Sequence, residues 1–174
     1  MSKTINILIV IDTDNVEKTY PNPSKDQNAP TGIAHNMGFM VCTGTSVNNH
    51  TQGTGDLDFN ALVGDTVRAF ATSGSENFED GVLLYDMPRF SGSQVFSAFN
   101  YQNFTKSTVV PQSVSQPLPA RIVDETFWFY QASVITTGTE GYEVRFALYT
   151  RDPNTGKPVL KGYYYWDPTI RVAG

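Results

Sequence analysis

Thr4–Ile11 is an almost unbroken apolar run in which only Asn6 is polar past the first residue, and it stops in the acidic turn Asp12-Thr13-Asp14-Asn15. β-branched side chains on both faces predict a central strand covered on both sides. Pro21, Pro23 and Pro30 lack ladder donors and constrain their predecessors, so 17–31 reads as a loop. Strand-like residues return in 38–45, and the Gly, Thr, Asn and Ser of 44–58 predict a long loop. Asp58 is placed to cap one helical turn over 58–62. A tight turn at 63–67 then feeds a strand through about residue 72. A break over 72–79 precedes strand-like 80–87. Residues 91–101 fit neither period, and 106–110 forms a short strand before the proline-rich 111–119.

The last third is the most regular. Residues 121–135 form a long strand pattern centred on Phe127, Trp128, Phe129 and Tyr130. Tyr142, Val144, Phe146 and Leu148 alternate with Glu143, Arg145, Ala147 and Tyr149, which buries one face and leaves the other partly wet. Asp152-Pro153-Asn154-Thr155-Gly156 supplies turn chemistry, so 159–166 is expected to return antiparallel to 142–150. Nowhere does helical periodicity last three turns. The pattern predicts an all-β, single-domain antiparallel sandwich of jelly-roll or Greek-key type, with long loops and at most one or two short helical turns.

Composition narrows the function. With 174 residues, 40% of them hydrophobic, the chain is long enough for one domain with a sizeable core. Its net charge of −5 and lack of a basic stripe disfavour nucleic acid as a partner. No stretch approaches the roughly 20 apolar residues of a spanning helix, and the opening run lacks a cleavage site, so neither membrane nor secretion is expected. Cys42 is the one cysteine, which is consistent with a reducing, cytoplasmic setting.

Catalytic motifs are absent. A thiol nucleophile would have to be Cys42 beside His35 or His50, but a cysteine in a strand is more often inert core. Those three residues also satisfy the ligand count of a blue-copper site, and 63–67 looks like a cupredoxin turn. A cupredoxin, however, places its cysteine and second histidine on one loop near the C-terminus, so no cofactor is expected. Asp12/Asp14 and Asp56/Asp58 could ligate calcium, although aspartates also cap turns by bonding their own backbone. Among the aromatics, Tyr165 and Tyr163 share one strand face and Trp166 and Tyr164 the other, and Trp128 opposes Phe127 and Phe129. One set should fill the core; the other, if exposed, could stack sugars or join copies of the chain. The candidate ligand contacts are Asp12, Asp14, Trp128, Tyr165, Trp166 and Asp167.

Five segments carry a resemblance: Ile9-Val10-Ile11-Asp12-Thr13, Asn22-Pro23-Ser24, Pro30-Thr31-Gly32, Val63-Gly64-Asp65-Thr66-Val67-Arg68 and Trp166-Asp167-Pro168. Together they resemble the PixA/AidA family of bacterial inclusion-body proteins over nearly the whole chain. The resemblance implies a non-catalytic cytoplasmic protein that self-associates as a homo-oligomer or larger assembly and accumulates in dense or host-associated cultures. It supplies no catalytic residues. A lectin-like glycan-binding module, with or without calcium, is the second reading, and an enzyme is a third without residue-level support.

Overall fold

A computed structural model describes residues 2–174. The elements run β1 (Thr4–Ile11), α1 (Thr13–Thr19), β2 (Thr31–Gly32), a 3-10 turn (His35–Met37), β3 (Gly38–Thr43), β4 (Leu57–Asn60), β5 (Thr66–Ser73), β6 (Gly81–Asp86) and β7 (Arg89–Gly92). They continue with β8 (Asn100–Val110), β9 (Arg121–Ser133), β10 (Gly138–Tyr142), β11 (Val144–Arg151), β12 (Pro158–Trp166) and β13 (Thr169–Ala173). The chain is all-β apart from α1 and the 3-10 turn, as its alternating patterns predict.

The strands form three sheets, ordered β3-β1-β5-β9-β8, β4-β13-β10-β7 and β2-β12-β11-β6. Most neighbours are antiparallel, but β1/β5, β12/β2 and β13/β4 are parallel. This amends the purely antiparallel expectation. A half-buried strand shows the same alternation in either orientation, and long connections such as the one from β1 to β5 permit a parallel return.

One continuous core draws on all three sheets: Ile5, Ile7, Ile9 and Ile11 from β1, Leu57 and Phe59 from β4, Phe146 from β11, and Tyr164 and Trp166 from β12. The opening strand is central in its sheet, but only one of its faces is covered. Its outward residue Leu8 stays 40% exposed, so the run is apolar on both sides without being buried on both.

Other local expectations shift as well. Residues 58–62 do not form a helical turn, because 57–60 pairs with β13 as β4. The helical turn lies instead at α1, which spans the acidic turn and the first residues of the expected loop, with Asp12 as its N-cap accepting from the Asn15 backbone N–H. The short strand expected at 106–110 extends back to Asn100. The single strand expected over 142–150 is interrupted at Glu143, where the chain passes from β10 in one sheet to β11 in another while the alternation continues. The β11–β12 hairpin is antiparallel as expected, in the register Val144↔Trp166 to Arg151↔Pro158, with one bulge after Leu148.

Candidate functional site

The residues singled out from the sequence fall into three separate places. Asp12 and Asp14 line a cleft of about 460 Å³ beyond the C-terminal ends of the parallel pair β1 and β5, with Glu79 and Asp80 on its other wall. Asp12 is occupied as a cap: its carboxylate takes the Asn15 backbone N–H at 3.2 Å and the Asn15 side-chain amide at 2.6 Å. Nearby, burial and then the Asp80 charge raise the pKa of Glu17.

Trp166 and Asp167 belong to a second cluster. The Trp166 side chain is fully buried, with its indole N–H donating to the His35 carbonyl at 2.8 Å. It cannot serve as a sugar platform, and its role is packing: a Cβ at Gly38 would collide with the indole. Asp167 lies 3.6 Å from His35 Nδ1, and Asp56 lies 3.4 Å from His35 Nε2. Half-buried Tyr165 lies against Gly32, where an added Cβ would come within 2.9 Å of the ring. Trp128 lies apart from both groups, half-buried in a shallow hollow of about 400 Å³ with Asn77, Leu83, Tyr149 and Pro158.

Metal and thiol chemistry find no assembled site among the described residues. No group of three or more His, Cys, Asp or Glu side chains is arranged to hold a metal there. His35 is engaged by its two aspartates, and His50 sits on an exposed left-handed turn (φ 55°). Cys42 is buried in β3 with its backbone N–H and C=O both bonded to the Gln52 side chain. Burial pushes its thiol up to about 11 against a weaker pull from Lys3, so the thiolate is scarce at neutral pH. Asp58, the other calcium candidate beside Asp56, is buried and taken up by Asn48, Asn49 and Arg171.

Two features escaped the sequence pattern. The first is Glu140, which is fully buried and accepts the N–H groups of Val95 (2.8 Å) and Phe96 (3.3 Å) and the Tyr142 hydroxyl. Arg89 Nε lies 3.7 Å from the same carboxylate. Burial, then the bond to Glu140, raises the Tyr142 pKa. A lone glutamate in a Gly-Thr-Glu-Gly stretch carries no periodic signal that would flag it.

The second feature is a surface. On the outer face of the five-stranded sheet, Leu8 is in register with Val41 on one side and Phe70 on the other. Phe70 packs on Phe129 at 5.0 Å between ring centres, and Phe129 on Phe104 at 5.8 Å. The Arg68 guanidinium covers Phe129 at 4.9 Å. Val41, Leu8, Phe70, Phe129 and Phe104 thus make an apolar band crossing all five strands. No helix of the described residues is long and apolar enough to cross a membrane.

The profile of the family described as "PixA: Inclusion body protein" matches residues 3–172. The chain belongs to this family. The crystal structure of the inclusion body protein PixA from Burkholderia cenocepacia J2315 is similar to it, at 30% identity and a TM-score of 0.83. That similarity covers 99% of this chain and 97% of the Burkholderia chain. Comparison with curated sequences gives no match.

Within the PixA fold, several of the segments that carried the resemblance have structural duties. Asp65 accepts the backbone N–H of Lys3 and of Leu62, each at 2.9 Å, and so closes the turn before β5. Gly64 takes φ +91° in that turn, a conformation that suits glycine. Thr31 bonds the Ser24 N–H and Trp166 anchors the 3-10 turn. These segments hold long loops against the sheets, so they mark kinship without marking an active site.

Proposed function

We propose that the chain is a non-catalytic protein that self-associates and accumulates as cytoplasmic inclusions. The observation that carries this reading is the outward apolar band of the five-stranded sheet, where Leu8 (40%), Val41 (37%) and Phe104 (44%) remain exposed. Solvent contact with such apolar side chains costs free energy that contact between copies recovers. Membership of an inclusion-body family supports the same reading, and accumulation in dense or host-associated cultures rests on that kinship alone. Sedimentation velocity of the purified chain over a wide concentration range tests it. Species larger than a monomer should grow with concentration, and a monomer at every concentration refutes it.

A lectin-like role is the second reading, favoured by Trp128. It lines an open hollow together with Leu83, Tyr149 and Pro158, an apolar and aromatic surface of the kind on which a sugar ring can stack. A glycan array with and without Ca²⁺ decides it. Binding lost in Trp128→Ala supports the role, and no binding in either condition removes it.

A further inference from the structure

The unusual element of this fold is the long hairpin made by β8 and β9. Its strands share eleven cross-strand pairs, Asn100↔Gln131 to Val110↔Arg121, with no register shift. β5 supports β9 only over Gln131 and its neighbours, through the pairs Thr66↔Ser133 to Ala69↔Tyr130. From Phe129 outward, β9 has β8 as its sole ladder partner, and β8 is the end strand of its sheet. The hairpin is therefore a two-stranded arm.

Both faces of the arm are open. Val109 and Ile122, a cross-strand pair, are 69% and 71% exposed, and residues 121–127 are exposed except for half-buried Val123. Two strands alone are marginally stable in water, and an arm of this kind gains stability from a third strand or a covering face. The outer edge of β8 supplies the means to acquire one. It has no proline and no bulge, one lysine, and a composition rich in Tyr, Phe, Thr and Val. Edge strands that stay unpaired are normally short, bulged, or broken by proline and charge.

We infer that the arm is the surface on which two copies of this chain join, with β8 of one pairing antiparallel with β8 of the other. The inference rests on the self-association proposed above and adds to the apolar band a specific edge contact between two copies. Two considerations select a second copy as the occupant. An antiparallel β8–β8 contact is isologous, so one open edge satisfies its own counterpart without a second, different surface. Charge permits it: residues 100–131 carry Lys106 and Arg121 against Asp124 and Glu125, a sum of zero in a chain of −5. Copies meet there without the repulsion that the acidic cleft at Asp12, Asp14, Glu79 and Asp80 would impose.

Sedimentation velocity on the full chain and two arm variants tests the inference. The first variant combines Val109→Asp with Ile122→Asp, both on exposed positions that the core does not use. The second replaces residues 105–126 by an Asn-Gly turn between Phe104 and Phe127, which already face each other across the hairpin. Both variants should keep the thermal unfolding midpoint of the core while the dimer dissociation constant rises about thirty-fold or more. If the folded variants associate as the parent does, the arm is not the interface, and self-association stands on another surface. If the parent itself stays monomeric, self-association and the arm fall together.

Discussion

Asp65 shows how one side chain can matter more for the fold than its place in a surface turn suggests. Burial alone would raise its pKa, but the N–H donors of Leu62 and Lys3 and the Lys3 charge outweigh it and hold the carboxyl below its ordinary value. A depressed folded-state pKa means stability that is complete above the unfolded carboxyl value, near ~3.9, and lost as pH falls through the lower folded value. Asp65→Ala should cost about 2 kcal/mol at neutral pH, since two N–H groups lose their acceptor. The variant should also lose part of the parent's acid sensitivity in that window, as read by urea unfolding at a series of pH values. Cys42 gives a second expectation at this scale. With its thiol near 11 and its side chain buried, iodoacetamide should label it only on unfolding, as read by intact mass. A native protein alkylated as fast as the unfolded one would contradict that. The sequence makes Cys42 recognisable as core, because a free cysteine in a strand-like stretch is most often buried. It does not reveal Asp65's second partner, Lys3, which lies 62 residues away.

At the scale of elements, Glu140 is the linchpin of a region the sequence left unassigned. Residues 91–101 fit no period because they are not a regular strand: Val95 and Phe96 are held by a buried carboxylate from β10, with Phe96 packed on Phe59 and Tyr142. Glu140→Ala leaves the buried N–H groups of Val95 and Phe96 without their acceptor and removes the carboxylate opposite the Arg89 charge, and should destabilise the fold by about 3 kcal/mol. Thermal unfolding reads this; a midpoint unchanged from the parent would show that the carboxylate is dispensable. Helix α1 was missed for a different reason. Its seven residues are too few for a 3.6-residue period to emerge, and three prolines just beyond it dominate the local signal. The β11–β12 hairpin was legible because alternation, turn residues and return strand all agree. β10 and β11 merged in the sequence because a strand that changes sheets keeps its alternation through the crossing.

For the molecule as a whole, charge and surface act together. A net charge of −5 at neutral pH opposes close approach of copies, and it shrinks as carboxylates protonate toward the isoelectric point near 4.9. Self-association should therefore strengthen as pH is lowered from 7 toward 5 and weaken again on return. Light scattering at fixed concentration reads this, and association independent of pH would assign it to contacts that charge does not reach. The apolar band of the five-stranded sheet is invisible in the sequence as a band. Leu8, Val41, Phe70, Phe104 and Phe129 come from five strands, and only pairing places them side by side.

The linear pattern by itself determined that this chain is all-β, where most of its strands lie, where its last hairpin turns back, and to which family it is akin. Each of these follows from local alternation, turn chemistry or shared short segments, which need no distant partner. Tertiary structure alone decided which strands are parallel, that the first strand is covered on one side only, and that Trp166 is buried while Trp128 borders solvent. It also decided that β8 and β9 extend as an arm with an open edge. Those outcomes depend on which residues distant in the chain arrive to cover a face or pair an edge, and a period of two along a strand is the same whether or not they do.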